Sequence, residues 1–311
     1  MNATTVSTET LMSNQSDCPE VQVPVLLFFT LGAVSLAENF LVVVAVICNR
    51  NLHSPMYCFI CSLAAFNTIA SLTKTWENLM LVFADVGQLD QRGSSEKKLD
   101  DVMDSLLCMS FVGSIFSFLA IAVDRYITIF HALQYHNIMT MRRATAILGV
   151  IWTTCGVSAV LMVRFFDTTF IMICFIVLFL VSLALIGILY VYMFMLARLH
   201  ARKIAALPTG GGGGKRRRQQ WGRGSMRGAL TLTILFGVFV VCWAPFFLHL
   251  VIIMVCPMNP YCECYRSLFQ LHVVLMMSHA LIDPAIYAFR SAELRHTFRK
   301  MLLCSDWRRC Y

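Results

Sequence analysis

Residues Phe170–Ala197 read FIMICFIVLFLVSLALIGILYVYMFMLA, a run of 28 residues without one charged side chain. A helix rises 1.5 Å per residue, so about 20 apolar residues are enough to cross the hydrocarbon core of a bilayer. Six further apolar runs accompany it, at Val23–Cys48, Pro55–Ala84, Asp100–Phe130, Ala144–Val163, Ala229–Val255 and Leu268–Phe289. The runs are continuous rather than alternating, which argues against a lipid-facing β-barrel. The sequence therefore predicts an all-α membrane protein, a bundle of seven transmembrane helices.

The composition excludes a soluble protein. Hydrophobic residues make up 58% of the 311 positions and charged residues only 14%, against ~25% charged residues in an ordinary soluble domain. A core of this length cannot hide that much apolar surface from water. The 23 phenylalanines also exclude an intrinsically disordered chain, because such chains are poor in aromatic residues.

The segments around the apolar runs divide the chain into three parts. A polar tail, residues 1–22, carries glycosylation sequons at Asn2 and Asn14. The transmembrane domain, residues 23–290, contains a basic loop at 198–228 whose run of five glycines predicts flexibility. The last part, residues 291–311, is predicted to be a cytoplasmic tail that begins with a short amphipathic helix. Its cysteines, Cys304 and Cys310, are candidates for palmitoylation.

Lysine and arginine predict the orientation. Nineteen of the 25 lie in one set of loops and ends and five in the opposite set, while Lys74 lies inside a span. Because cytoplasmic loops carry the excess of basic residues, the C-terminus is predicted to be cytoplasmic and the N-terminus extracellular. Acidic residues lean toward the outer side. One explanation is that acidic residues, unlike lysine and arginine, are excluded from neither side of the membrane. The other is that they create a negative potential that attracts a cationic ligand.

Four cysteines lie in the predicted extracellular segments, where disulfides persist. Cys256 and Cys262 can close one small loop, which leaves Cys18 to reach Cys264. A zinc site at Cys262 and Cys264 is the alternative, although no set of histidines lies near them in the sequence.

Four short motifs follow one another along the runs. They are Glu38-Asn39 in the first, Asp124-Arg125-Tyr126 at the inner end of the third, Cys242-Trp243-Ala244-Pro245 in the sixth and Asp283-Pro284-Ala285-Ile286-Tyr287 in the seventh. In this order they resemble the rhodopsin-like G-protein-coupled receptors over nearly the whole chain. Longer segments narrow the resemblance to the melanocortin receptors, namely Asn51–Cys61, Asp124–Leu133 and Cys242–His249.

Within that family, Ser16–Pro19, Asp101–Leu106 and Asn259–Cys262 are most similar to members that bind adrenocorticotropin. The resemblance implies a plasma-membrane receptor that binds this hormone, activates the stimulatory G protein, raises cyclic AMP and depends on the melanocortin receptor accessory protein. A receptor for melanocyte-stimulating hormones is the alternative within the family. Outside it, a transporter is disfavoured because the spans show no internal repeat. No enzymatic motif occurs, and no nucleic-acid partner is expected.

Acidic residues of the second and third runs form a candidate ligand site. Asp100 and Asp104 are four residues apart and therefore share one face of a helix. An acid within a span marks a functional site by default, although Asp104 can also simply reach toward water. The resemblance implies that Glu77 joins this pair to hold Ca²⁺ and to receive the hormone's arginine. Asp101 is expected to match no ligand.

The sixth run carries an aromatic stripe formed by Trp243, Phe246, Phe247 and His249. Such a stripe is more often core packing than a pocket. The resemblance implies instead that Phe246, Phe247 and His249 line the hormone pocket. Pro245 removes a backbone hydrogen bond and kinks the helix, so this region is a candidate pivot close to Trp243.

The inner motifs imply an activation switch. By resemblance, Asp124 holds Arg125 at rest, with Tyr126 beside them, and releases it to the G protein, while Tyr287, after Pro284, moves inward. The alternative for Arg125 is a charge that only snorkels at a helix end.

Asn67 and Asp283 form the last candidate pair. Receptors of this class usually carry an aspartate where Asn67 stands, so we expect the two residues to face each other with one carboxylate between them. Burying one charge costs less than burying two, and sodium should then bind weakly or not at all. The alternative is that Asn67 only bonds nearby backbone.

Overall fold

A computed structural model describes residues 21–85, 94–131, 134–165, 168–205, 212–256 and 260–303. Within these ranges the chain forms ten α-helices and one 3-10 turn, and no β-strand. The helices are α1 (Val25–Cys48), α2 (Pro55–Asp85), α3 (Ser94–Phe130), α4 (Tyr135–Ile138), α5 (Met141–Phe165), α6 (Thr168–Ala205), α7 (Gly212–Val255), α8 (Pro260–Arg266), α9 (Phe269–Arg290) and α10 (Ala292–Leu303). The predicted all-α architecture is confirmed.

Seven of these helices are long and apolar enough to cross a membrane, and they are α1, α2, α3, α5, α6, α7 and α9. Each corresponds to one of the seven apolar runs. The three short helices lie between or after the spans, with α4 following α3 and α8 joining α7 to α9. This arrangement is what a bilayer requires, because helices satisfy their own backbone hydrogen bonds where water is absent.

The helix predicted after the last span is α10. It is tied to the bundle by two hydrogen bonds, since Tyr57 OH donates to Glu293 Oε2 at 2.8 Å and Asn49 Nδ2 donates to Thr297 Oγ1 at 2.8 Å. Leu294 is fully buried, whereas Arg295 on the same helix is exposed. The helix is therefore amphipathic, as predicted.

The spans pack around α2 and α3, which contact each other most extensively, while α9 packs on α7 and α1. By contrast, α6 exposes large apolar side chains such as Leu180, Ile188 and Val191. Apolar groups on the outside of a bundle are suited to lipid rather than to water.

The basic connection between α6 and α7 differs from the predicted flexible loop. Residues 198–205 continue α6 and residues 212–228 extend the start of α7, so 206–211 are the part of the loop outside the described residues. Lysine, arginine and glutamine are good helix formers, and each residue added to an existing helix gains a backbone hydrogen bond. Extension of the two spanning helices therefore outweighs the preference of the glycines for coil.

The predicted disulfide between Cys256 and Cys262 is formed, with the two Cα atoms 6.2 Å apart. Cys262 is thereby committed, so the alternative of a zinc site at Cys262 and Cys264 is wrong. Cys264 is also disulfide-bonded. Its predicted partner Cys18, the sequons Asn2 and Asn14, and the candidate palmitoylation sites Cys304 and Cys310 all lie outside the described residues.

Gly113 lets α2 and α3 approach closely. A Cβ atom at this position would overlap the ring of Phe66, which is fully buried and stacks on Trp152 of α5 with ring centroids 4.2 Å apart. Trp152 Nε1 in turn donates to Ser62 Oγ at 3.1 Å. The missing side chain at Gly113 thus allows three spanning helices to meet at one aromatic pair.

Replacing Gly113 with alanine should lower the Tm of the purified protein, because the added methyl group would overpack against Phe66. Overpacking a core costs about 1–3 kcal/mol, more than the ~1 kcal/mol by which alanine favours a helix over glycine. Gly149→Ala is the matched control, since a Cβ there meets nothing within 4 Å. The control should keep or raise Tm. Equal Tm values for the two variants would contradict the close approach.

Candidate functional site

A cavity of about 360 Å³ lies between α3, α6 and α7, near the end of the bundle that carries the disulfide. We call this end, predicted to be extracellular, the outer end and the opposite one the inner end. Asp101, Asp104 and Ser105 of α3 form a polar part of the lining. The rest is apolar, and five of its residues are aromatic, namely Phe111, Phe175, Trp243, Phe246 and Phe247. The cavity suits a ligand that carries a cation beside apolar groups.

An aromatic cluster connects the three helices beneath this cavity. The ring centroid of Phe111 on α3 lies 4.5 Å from that of Trp243 and 5.2 Å from that of Phe247. Phe247 also stacks on Phe179 of α6 at 3.9 Å, with the ring planes 8° apart. Such contacts contribute beyond their buried area. A ligand that moves one of these rings will therefore change the packing of all three helices.

Two of the three pocket residues predicted on the sixth span line the cavity, Phe246 and Phe247. His249 instead lies against α9, with its ring centroid 5.1 Å from Phe269 and 5.4 Å from His272. Two residues advance a helix by about 200°, so His249 and Phe247 point to different neighbours. The structure therefore places His249 in a packed contact between α7 and α9.

The three predicted calcium ligands are not brought together in this conformation. Glu77 Oε2 accepts a hydrogen bond from Lys74 Nζ at 2.6 Å. Asp100 is exposed and is not among the residues that line the cavity, whereas Asp101 lines it with Asp104. Among the described residues no three His, Cys, Asp or Glu side chains form a group able to hold a metal ion. The arrangement does not fit Ca²⁺, because the cation beside Glu77 is the chain's own ammonium group.

A second polar group lies at the middle of the bundle. Asn67 Nδ2 donates to Asp283 Oδ2 at 3.2 Å, which confirms that the two residues face each other. Ser114 Oγ donates to Asn67 Oδ1 at 3.4 Å, and His279 Nε2 lies 3.5 Å from Asp283 Oδ2. Asp283 is fully buried. Its carboxyl group therefore depends on the amide of Asn67 for its hydrogen bond, while Asp283 Oδ1 and His279 Nε2 have no hydrogen-bond partner among the described residues.

The inner end holds the third polar group. Asp124 is fully buried, and its Oδ2 accepts from Arg125 Nη2 at 2.7 Å and from Arg125 Nε at 3.1 Å. Tyr135 OH donates to Asp124 Oδ1 at 2.8 Å. Tyr126 of the same motif packs instead on Phe130 and Tyr192, with ring centroids 5.2 and 5.9 Å away. The carboxylate therefore restrains Arg125 and is itself restrained by α4.

The two prolines and Tyr287 complete the predicted switch. Pro245 lies inside α7 and Pro284 inside α9. Tyr287 is buried, and its hydroxyl has no hydrogen-bond partner among the described residues. A buried hydroxyl without a partner is costly, so a rearrangement that gives Tyr287 a partner would be favoured.

Three contacting residues were missed from the sequence. Lys74 was visible as the single basic residue within a span, but its partner was not. Tyr135 follows closely on a segment that carried the family resemblance, but nothing in the sequence indicates its hydrogen bond to Asp124. Tyr265 of α8 donates to the backbone oxygen of Pro245 at 3.0 Å, and burial raises the pKa of its phenol. No pattern in the sequence signals that contact.

Comparison with known proteins covers most of the chain. Residues 38–170 and 153–287 match the family described as 7 transmembrane receptor (rhodopsin family). Melanocortin receptor 4 of Danio rerio is 52% identical over 278 residues, which are 89% of this chain and 83% of that protein. Melanocortin receptor 3 of Mus musculus and that of Homo sapiens are each 47% identical over 93% of this chain, and over 88% and 89% of their own lengths.

Replacing Asn67 with aspartate should make stability depend on sodium. Two carboxylates would then face each other in a buried site, and a bound cation would relieve their repulsion. We expect the variant to have a lower Tm than wild type in choline chloride and to recover part of the loss in sodium chloride. Wild type should respond little to the exchange of salts.

The swapped variant, Asn67→Asp with Asp283→Asn, is the control for this prediction. It restores one carboxylate and one amide, so it should lose the sodium response and regain stability. A single variant whose Tm and sodium response match those of wild type would contradict a coupled pair.

Proposed function

Because this chain belongs to the melanocortin receptors of the rhodopsin-like seven-transmembrane family, we propose that it is a plasma-membrane receptor for adrenocorticotropin. Binding of the hormone in the outer cavity activates the stimulatory G protein, which raises cyclic AMP through adenylate cyclase. Membership of this family also means that the chain is a receptor and not an enzyme. The accessory protein assists its export and hormone response.

The observation that carries the proposal is the composition of the outer cavity. Asp104 and Asp101 supply negative charge at one part of its lining, and Phe246 and Phe247 supply aromatic surface at another. An arginine of the hormone pairs with the carboxylates while neighbouring apolar side chains contact the rings. Both carboxylates are exposed in the structure and are buried only when the peptide binds. Truncating one partner of a buried charge pair typically costs 2–5 kcal/mol, so the acidic part provides a large share of the selectivity for a cationic peptide.

A second candidate, a receptor for melanocyte-stimulating hormones, is favoured by the relatives named above. They are melanocortin receptors 3 and 4, at 47–52% identity. The segments that favour adrenocorticotropin are short by comparison, and Ser16–Pro19 lies outside the described residues. The cavity suits both peptides, because for both we propose the same contacts, a cationic group of the peptide with the carboxylates and apolar groups of the peptide with the aromatic rings.

Signal transfer to the inner end rests on the contacts around Asp124. In the structure this carboxylate holds Arg125 and accepts from Tyr135, which corresponds to a resting arrangement. Rotation of α7 about Pro245 opens the inner end, and Arg125 then leaves Asp124 for the G protein. Since Asp104 and Asp124 lie on the same helix, about 30 Å apart at 1.5 Å per residue, one rigid element connects the hormone to the switch.

The first test is hormone-evoked cyclic AMP in cells that express the chain with and without the accessory protein. We expect adrenocorticotropin to raise cyclic AMP only when the accessory protein is present, and the shorter melanocyte-stimulating peptide to be much weaker. Comparable responses to both peptides without the accessory protein would replace the first candidate with the second.

A site control belongs to the same assay. Asp104→Asn removes a carboxylate from the cavity while keeping its size, and should reduce hormone potency by roughly tenfold or more. Asp100→Asn removes the same charge from a position that is also exposed but lies outside the cavity lining, and should reduce potency less. The reverse order would place the hormone's cation elsewhere.

Replacing Tyr135 with phenylalanine should raise basal cyclic AMP, because it removes a hydrogen bond that holds the resting form. Such a bond contributes on the order of 1 kcal/mol, or about a fivefold change in the resting-to-active ratio. Burial and the carboxylate of Asp124 raise the pKa of Tyr135 to about 12 from 10.0. The contribution of the neutral phenol is therefore present at physiological pH and is lost only as pH rises above 10 toward 12.

Asn137→Ala is the matched control, because Asn137 lies on the same short helix with an exposed side chain. Basal cyclic AMP, divided by the amount of receptor at the surface, should be unchanged in this variant. An increase of equal size in both variants would assign the effect to α4 as a whole and not to the bond with Asp124.

A further inference from the structure

Lys74 is placed unusually for a basic residue. It lies within the second span, and its ammonium group is 2.6 Å from Glu77 Oε2, with side-chain exposures of 15% for Lys74 and 30% for Glu77. An ammonium group within a bilayer span is expensive and is kept only where it has a partner and a role. The other carboxylate oxygen, Glu77 Oε1, is buried and has no hydrogen-bond partner in the described part of the chain.

The surroundings of Lys74 are acidic on one side and form a small cavity on the other. Its charge acts on Asp104 and Cys108 of α3, and Asp104 also feels Glu77, Asp100 and Asp101. Toward the middle of the bundle, Lys74 lines a smaller cavity of about 30 Å³ with hydroxyl and amide groups of Asn67, Ser71, Ser110 and Ser114, and with His279. Lys74 therefore stands between the acidic outer region and a small, mostly apolar cavity whose few hydroxyl and amide groups are the polar atoms available on that side.

We propose that Lys74 is an internal counter-ion, which occupies the cation position beside Glu77 and leaves it when a cationic group arrives. The incoming cation is a guanidinium group, supplied by an arginine of the peptide. It takes over Glu77, including the unpartnered Oε1, while the ammonium group turns toward the hydroxyl oxygens of the smaller cavity. The identity of the peptide rests on the proposed function, but the exchange itself does not.

Exchange has an energetic consequence that simple addition lacks. A cation that entered an empty acidic site would gain the full attraction of Glu77, whereas here it must first break an existing ion pair. Lysine suits this role because its ammonium is a point charge on a flexible stem with no fixed bonding geometry. Arginine at the same position would bind the carboxylate through two parallel bonds and would be harder to displace.

The test uses purified full-length receptor and two variants that change the competitor in opposite directions. Lys74→Met removes the ammonium and keeps the apolar stem, so it should bind an arginine-containing melanocortin peptide about fivefold more tightly, as expected for loss of a partly exposed ion pair. Lys74→Arg supplies a stronger competitor and should bind the same peptide more weakly than wild type. A peptide with citrulline in place of arginine should distinguish the three proteins little.

Two controls separate this exchange from general electrostatics. Lys98→Met removes the same charge from an exposed position on α3 and should change affinity less than twofold. In the double variant Lys74→Met/Glu77→Gln the gain should vanish, because the carboxylate that the ammonium had neutralised is also gone. A gain that persists in the double variant would overturn the proposal.

A hormone-free arm keeps the inference distinct from the proposed function. Agmatine, a small cation that carries the guanidinium group of arginine, is titrated against the Tm of each protein, and Lys74→Met should respond at about fivefold lower concentration than wild type. If no melanocortin peptide binds any protein but this shift is found, the proposed function fails and the inference stands. If Lys74→Met is unstable, weaker binding of the peptide by Lys74→Arg than by wild type still supports the exchange. Equal responses of wild type and Lys74→Arg to both cations would sink the exchange.

Discussion

The constraint on which the structure depends is the absence of water within the bilayer. It makes every span a helix, because a helix satisfies its own backbone hydrogen bonds. It also means that a charged group inside the bundle is stable only next to a polar or oppositely charged partner. Three such charges find one. Asp124 is held by Arg125 and Tyr135, Asp283 by Asn67, and Glu77 by Lys74. Only two of these contacts join different helices, Asn67–Asp283 between α2 and α9 and Tyr135–Asp124 between α4 and α3, and a ligand that alters either can shift one helix against the other.

The three charged groups lie at different depths in the bundle. Both α2 and α3 contribute residues to the outer group and to the middle group. Glu77 and Asp104 belong to the outer end, Asn67 and Ser114 to the middle, and Asp124 to the inner end. The aromatic cluster of Phe111, Trp243 and Phe247 fills the space between the outer and middle groups. A polar site above a packed aromatic layer gives directionality, because close-packed rings transmit displacement instead of absorbing it. Signal transfer by this molecule is therefore a matter of repacking between fixed polar contacts.

The sequence was sufficient for the fold because its main signal, seven long apolar runs, reports directly on the bilayer. It also placed Asn67 opposite Asp283, since a substitution at one position of a buried pair is informative about the other. It was insufficient wherever a side chain chooses among neighbours. Asp101 rather than Asp100 lines the cavity, and His249 packs on α9, because helix rotation decides which face meets which partner. The helical extension of α7 was missed for another reason, as local composition cannot show that a neighbouring span will continue through it.

The length of α7 has a mechanical consequence. The helix runs from Gly212 to Val255, and Pro245 lies near one end of it, so the arm on the inner side is 33 residues long. At 1.5 Å per residue this arm measures about 50 Å. A rotation of about 5° at the proline would then carry the far tip through about 4 Å, comparable to one turn of helix. On the side of the shorter, outer segment of α7, Tyr265 OH donates a hydrogen bond to the backbone oxygen of this proline. The helix thus acts as a lever, which converts a small displacement at the outer end into a large one at the inner end.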